Sequence, residues 1–118
     1  MEFSFSADRR LLSAAEYSRI FQQKSYKAGD TAFLLLVAKS GSDQARLGLA
    51  ISKKQLRRAV DRNRVKRICR ESFRYHQQQL AGLDLVVLCR SGAVGLDKQK
   101  IRNKLDTLFD KIAKNFTQ

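Results

Sequence analysis

The stretch Lys53-Lys-Gln-Leu-Arg-Arg-Ala-Val-Asp-Arg-Asn-Arg-Val-Lys-Arg-Ile-Cys-Arg-Glu-Ser-Phe-Arg74 organises the chain. Ten of its residues are Lys or Arg, and two, Asp61 and Glu71, are acidic. Its local charge is +8, in a chain whose formal net charge is +13. A solvated helix face ordinarily mixes its signs. A nearly single-sign, Arg-rich face repels itself in the free protein and calls for a polyanionic partner.

The same stretch has a helical period. Advancing 100° per residue from Val65 gathers Val65, Ile68, Cys69, Ser72, Phe73, His76 and Leu80 into one arc. Asn63, Arg67, Arg70 and Arg74 fall on the opposite side, flanked by Arg64 and Lys66. One face is suited to a core. The other presents planar guanidinium forks, which match phosphate oxygens better than an ammonium does. The helix is expected to start at an Asp61 cap or near Leu56, and to end by Gly82. Lys53, Lys54, Arg57 and Arg58 then lie in a loop that leads into it.

Working outward, Leu83 to Cys89 reads as a buried strand. It follows a helical crossover, so it should run parallel to a neighbour. Arg90 to Gly95 is a loop. Asp97 is the expected cap of a last helix with the core stripe Ile101, Leu105, Leu108, Phe109, Ile112 and Phe116. On the N-terminal side, Arg46 to Ser52 and Thr31 to Lys39 are strands separated by the turn Ser40–Asp43, which predicts an antiparallel hairpin. Gly29-Asp30 breaks the chain. Before it, Ser13 and Glu16 form a capping box, and Leu12 and Tyr17 occupy the positions of a hydrophobic staple. The short helix that follows runs to about Gln23 and carries Tyr17, Ile20 and Phe21 on one face. Phe3 and Phe5 alternate with serines, as in an edge strand or an ordered arm. The expected order is αββαβα in an α+β sandwich, a mostly antiparallel sheet covered by helices.

Length and composition favour one domain over residues 1–118, with 43% hydrophobic residues to build a core. The longest apolar run, Ala32 to Ala38, is far too short to span a membrane. Met1 to Arg10 has no apolar core of a signal peptide, so a cytoplasmic location is expected. Cys69 and Cys89 are far apart in sequence, read as buried free thiols, and with a lone histidine make a zinc site improbable. Asp61, Asp84 and Asp97 are scattered, and His76 falls on the apolar helix face. The expectation is therefore no catalytic residue, no protein-held metal and no small-molecule substrate.

The segment Lys53-Lys54 … Arg62-Asn63-Arg64-Val65-Lys66-Arg67 … Arg70-Glu71-Ser72-Phe73-Arg74 resembles the RNR signature of the bacterial ribonuclease P protein family. The resemblance extends through Leu11-Leu12, the aromatic-bearing helix, the apolar strands and the final helix. It implies a small sandwich similar to the second domain of a ribosomal small-subunit protein, with a left-handed βαβ crossover, an exception to the usual hand. It also implies that the RNR helix contacts a catalytic RNA, and that a cleft between the sheet and the N-terminal helix takes the single-stranded 5′ leader of precursor tRNA. Matched by position, the RNA-binding residues are Lys53, Lys54, Arg57, Arg58, Arg62, Asn63, Arg64, Lys66, Arg67, Arg70 and Arg74. The cleft candidates are Tyr17, Phe21, Leu34 and Leu36. Some relatives carry an aromatic residue where Leu36 aligns. The family's chemistry belongs to the RNA, with Mg²⁺ held mainly by RNA phosphates.

Single-stranded RNA is bound by aromatic platforms beside basic grooves. Tyr17 and Phe21, one turn apart, offer such a platform; by pattern alone they fit a core better, and it is the resemblance that reverses this reading. Phe33, Phe73 and Phe109 read as core. Three alternatives share the basic face: a ribosomal or assembly protein of similar fold, a helix-turn-helix DNA binder, and a protein nuclease. The strand-rich order argues against the second, and the scattered carboxylates against the third.

Overall fold

The structure, a computed structural model, describes residues 14–23, 26–41 and 43–116. The proposed Phe3–Ser6 strand and the Leu12 and Ser13 parts of the helix cap lie outside these residues. Helix α1 spans Ala14–Gln23, strands β1, β2 and β3 span Tyr26–Gly29, Phe33–Lys39 and Arg46–Ala50, and helix α2 spans Ala59–His76. Strand β4 (Leu83–Cys89), a single 3₁₀ turn at Ser91–Ala93 and helix α3 (Lys98–Phe116) complete the described residues.

The four strands form one sheet in the order β1-β2-β4-β3. β1 and β2 are antiparallel, as are β2 and β4, whereas β3 and β4 are parallel. The parallel neighbour expected for β4 is therefore present. The expected hairpin between the Thr31–Lys39 and Arg46–Ser52 strands is not: β4 lies between them. The physical reason is burial. β2 and β4 are apolar on both faces, so the centre of the sheet suits both, and the more polar β1 and β3 take the edges. The connection from Lys39 to Arg46 is long enough to step over one strand.

The hairpin that does form is β1–β2, and β1 is a strand that sequence reasoning missed. Its turn sits at the predicted Gly29-Asp30 break. The Asp30 carboxylate accepts from the backbone N–H groups of Ala32 (2.8 Å) and Phe33 (3.0 Å), and Asp30 N–H donates to the Phe33 carbonyl at 2.9 Å. A Cβ on Gly29 would lie 2.9 Å from that carbonyl, so only glycine fits there.

Strand alternation divides the core in two. Leu35, Val37, Leu47, Leu85 and Val87 pack with Val65, Ile68, Cys69 and Phe73 of α2 and with Ile101, Leu105, Phe109 and Ile112 of α3. Leu36, Ala38 and Val86 on the other face pack with Ile20 of α1. The sheet is thus layered between an α2–α3 pair and α1. Phe33, Phe73 and Phe109 are fully buried, as predicted, and the Phe73 and Phe109 rings meet edge to face at 6.0 Å. All seven residues of the predicted apolar arc, from Val65 to Leu80, are buried, although α2 ends at His76 and Leu80 lies in the turn beyond it. Asp97 caps α3 by accepting from Lys100 N–H at 2.8 Å. Asp61 does not cap α2. The helix starts after Arg58, whose side chain makes no capping bond, and Asp61 falls in the first turn. There it complements the helix dipole and pairs with Arg58 (3.8 Å) and Arg64 (3.6 Å). Among the described residues no helix is long and apolar enough to cross a membrane.

Candidate nucleic-acid interface

The outer face of α2 follows from the burial of its inner face. With Val65, Ile68, Cys69, Ser72, Phe73 and His76 committed to the core, the helical period turns the basic residues outward. Asn63 and Arg67 are exposed; Arg64, Lys66, Arg70 and Arg74 lie half-buried along the helix. The Nε atoms of Arg64 and Arg70 are buried without a hydrogen-bond partner among the described residues.

Lys53, Lys54, Arg57 and Arg58 are exposed in the segment that enters α2. Ser52 shapes its first half, its carbonyl accepting from Leu56 N–H at 3.1 Å and its Oγ from Gln55 N–H at 3.2 Å. Buried Leu56 pins it to the core. Arg62 holds its second half: Nη1 donates to the carbonyls of Leu56 (2.8 Å) and Arg57 (2.7 Å). Arg62 is therefore a brace that sets where Arg57 and Arg58 project, a role its place in a basic run does not reveal.

The second surface lies on the opposite side of the sheet. Tyr17 is half-buried, and its hydroxyl accepts from Leu49 N–H (2.9 Å) and donates to the Leu49 carbonyl (3.4 Å). That bond gives a partner to the backbone of the edge strand β3. Phe21, one turn on, is 41% exposed. Leu34 remains partly accessible beside Leu88 and Ala50, whereas Leu36 is buried with Ile20, Ala38 and Val86. The four cleft candidates therefore sit on one side of the sheet but not at one depth.

An ion-pair cluster fixes α1 over this face. Asp84, fully buried, accepts two bonds of 2.8 Å from the guanidinium of Arg46 in β3 and pairs with Arg19 of α1. Arg19 also donates to the Lys39 carbonyl at the end of β2 (3.3 Å). One carboxylate thereby ties α1 to β2, β3 and β4. Sequence reasoning gave none of the three this role and named Asp84 only among scattered carboxylates. The available signal was an acid inside the apolar run Leu83-Asp-Leu-Val-Val87, since a buried carboxylate requires a cationic partner. Arg90 was also missed. Its Nη1 donates to the Asp30 carbonyl (2.8 Å) and lies over the space left by Gly29, next to Leu34.

The lone histidine and the two thiols are packed within the fold. His76 is buried, with its ring nitrogens 2.7 Å from the Ser72 carbonyl and 3.0 Å from the Asp110 carboxylate. Cys69 and Cys89 are free, and burial pushes both thiols up from the usual range. No three His, Cys, Asp or Glu side chains among the described residues converge on a metal position.

A basic helix face on one side of the sheet, and on the other an apolar face that carries Tyr17 and Phe21, define a small RNA-binding sandwich protein. Comparison with known proteins makes the class specific. The family model for ribonuclease P matches residues 5–113. The ribonuclease P protein component of a Marinomonas strain is 46% identical over 113 residues, 96% of this chain and 86% of that protein. The corresponding protein of Thioalkalivibrio sulfidiphilus is 45% identical, covering 92% and 90%. Among solved structures, the RNase P protein of Staphylococcus aureus superposes with a TM-score of 0.80 at 31% identity, over 91% of this chain and 96% of that one. That of Thermotoga maritima gives 0.75 at 30%, over 87% and 96%. The chain belongs to the ribonuclease P protein family.

Proposed function

We propose that this chain is the protein subunit of ribonuclease P, binding the RNA subunit through α2 and the 5′ leader of precursor tRNA through the cleft beneath α1. The observation that carries the reading is the outer face of α2. It is almost wholly cationic, with Arg67 exposed and Arg64, Lys66, Arg70 and Arg74 half-buried along one side of the helix. Each phosphate neutralised there releases counterions, so binding should fall steeply with salt. In the cleft, Tyr17 and Phe21 supply ring faces, Leu34 and Leu88 an apolar floor, and Arg90 charge for the strand's phosphates, while Lys53 and Lys54 extend the basic face of α2. Leu36, buried below, supports the floor and does not touch the strand.

The chain's part in catalysis is then accessory. His76, Asp61, Asp84 and Asp97 are all engaged within the protein, which supports assigning the bond-breaking step to the RNA. The described carboxylates do not fit a metal-ion site, and no step proposed here runs through a protein-held ion. Mg²⁺ is assigned to RNA phosphates. The location that goes with this role is the cytoplasm.

Reconstitution with a bacterial ribonuclease P RNA tests the proposal. At low Mg²⁺ the protein should accelerate 5′ cleavage of precursor tRNA and bind leader-bearing substrate better than leaderless tRNA. It should cleave neither alone. Equal affinity for both substrates would leave a general RNA-binding role, such as that of a ribosomal protein; cleavage by the protein alone would refute the division of labour.

A further inference from the structure

α2 does not end with the Arg row. Its penultimate residue, Tyr75, is 64% exposed, an unusual degree for an aromatic residue at the seam between two packed helices. The Arg102 guanidinium of α3 lies over the Tyr75 ring, 5.1 Å from its centroid. Arg102 is itself held by Asp106 (3.0 Å) and faces Glu71 (3.9 Å). Glu71, Arg74, Tyr75 and Arg102 together line an open cleft of about 360 Å³. The ring is thus oriented by a fixed cation, yet most of the residue remains accessible.

We propose that this cleft seats one unpaired nucleobase of the RNA subunit, stacked on the Tyr75 ring, with its phosphate on the Arg70–Arg74 side. The proposal rests on the reading of α2 as an RNA-binding helix. Charge selects the occupant. Two carboxylates already balance Arg102, and Glu71 would repel a phosphate placed in the cleft, so the seat suits a neutral, planar group. The Arg row ends one residue away, and the eight residues from Arg67 to Tyr75 rise only about 12 Å along the helix. A strand whose phosphates follow the row therefore reaches the ring. Stacking on tyrosine and on guanidinium planes is how unpaired bases are held.

Affinity for a bacterial ribonuclease P RNA, measured across a salt series, tests the seat. Tyr75→Ala should weaken binding roughly 5- to 160-fold, the range for one stacked base. The log–log salt slope should not change, because no ionic contact is lost. Tyr75→Phe should bind like the parent protein. Tyr75→Leu, which keeps apolar bulk without a π-face, should behave like Tyr75→Ala and also serves if the alanine variant folds poorly. Parent-like binding by Tyr75→Leu overturns the proposal, as does a reduced salt slope in either variant. Arg67→Ala, measured in parallel, should weaken binding and lower the slope. If only Arg67→Ala has an effect, the seat fails and the RNA reading of α2 stands; if neither has one, both fail.

Discussion

The outer face of α2 and the cleft beneath α1 differ in almost every physical respect. The first is continuous in sequence, cationic and half-exposed, and it needs only one helix to exist. The second is assembled from α1, β2, β3 and β4, is mostly apolar, and depends on a buried carboxylate that no RNA would touch. A charged surface keeps its character wherever the helix goes. A surface assembled from several elements exists only if they are held in place, and here Arg19, Arg46 and Asp84 tie α1 to the sheet.

The comparison is tested most severely on the charged side. Arg64→Ala, Arg67→Ala and Arg70→Ala combined should abolish tight binding of the RNA subunit at physiological salt. The log–log salt slope should fall by about two to three units, at 0.7–0.9 per phosphate contact. Arg62 is best left intact, because its bonds to Leu56 and Arg57 make it a brace. A salt titration with an unchanged slope would show that the row faces solvent in the complex.

Asp84→Asn probes the other side. Removing one partner of a buried ion pair costs on the order of 3 kcal/mol, the low end of the range, since Arg19 and Arg46 both reach solvent. A thermal melt reads that cost. In the reconstituted complex, preference for leader-bearing over leaderless substrate should shrink while the salt slope for the RNA subunit stays put. Equal losses on both substrates would mean that the cluster stabilises the whole fold and does not set the cleft.

Phe21→Ala should cost about 1–3 kcal/mol of affinity for leader-bearing precursor tRNA, the scale of one stacked base, with little change in melting temperature because the ring is well exposed. Combined with Arg67→Ala, the losses should add within about 0.5 kcal/mol, as expected for distant, independent surfaces. Stronger coupling would join the two surfaces into one. A smaller effect sharpens the contrast in the free protein. Sulfate at 100 times its dissociation constant should stabilise the fold by about 2.7 kcal/mol if it occupies the Arg face, visible in circular dichroism melts. That gain should vanish in the triple Arg variant and persist in Asp84→Asn. The least effect concerns the thiols: with burial raising both, Cys69 and Cys89 should label slowly at pH 8 in the folded protein and rapidly in denaturant.

Taken alone, the amino-acid sequence determined that there are helices in these places, the face that α2 buries, most of the stripe that α3 buries, the Asp97 cap and the basic face of α2. These rest on contacts three or four residues apart, which repeat with a fixed period and require no knowledge of distant chain. The strand order was decided only by tertiary structure. β2, β3 and β4 are all apolar enough to pair with one another, so local pattern could not choose between a β2–β3 hairpin and the insertion of β4. The choice belongs to the total area buried when the two double-faced strands take the centre. The same holds for depth and partnership. Leu34 and Leu36 have the same chemistry and point the same way, yet the position of α1 leaves one accessible and buries the other. Asp84 acquires its meaning from Arg19 and Arg46, which lie 65 and 38 residues away in the chain. Only folding brings them within reach of one carboxylate.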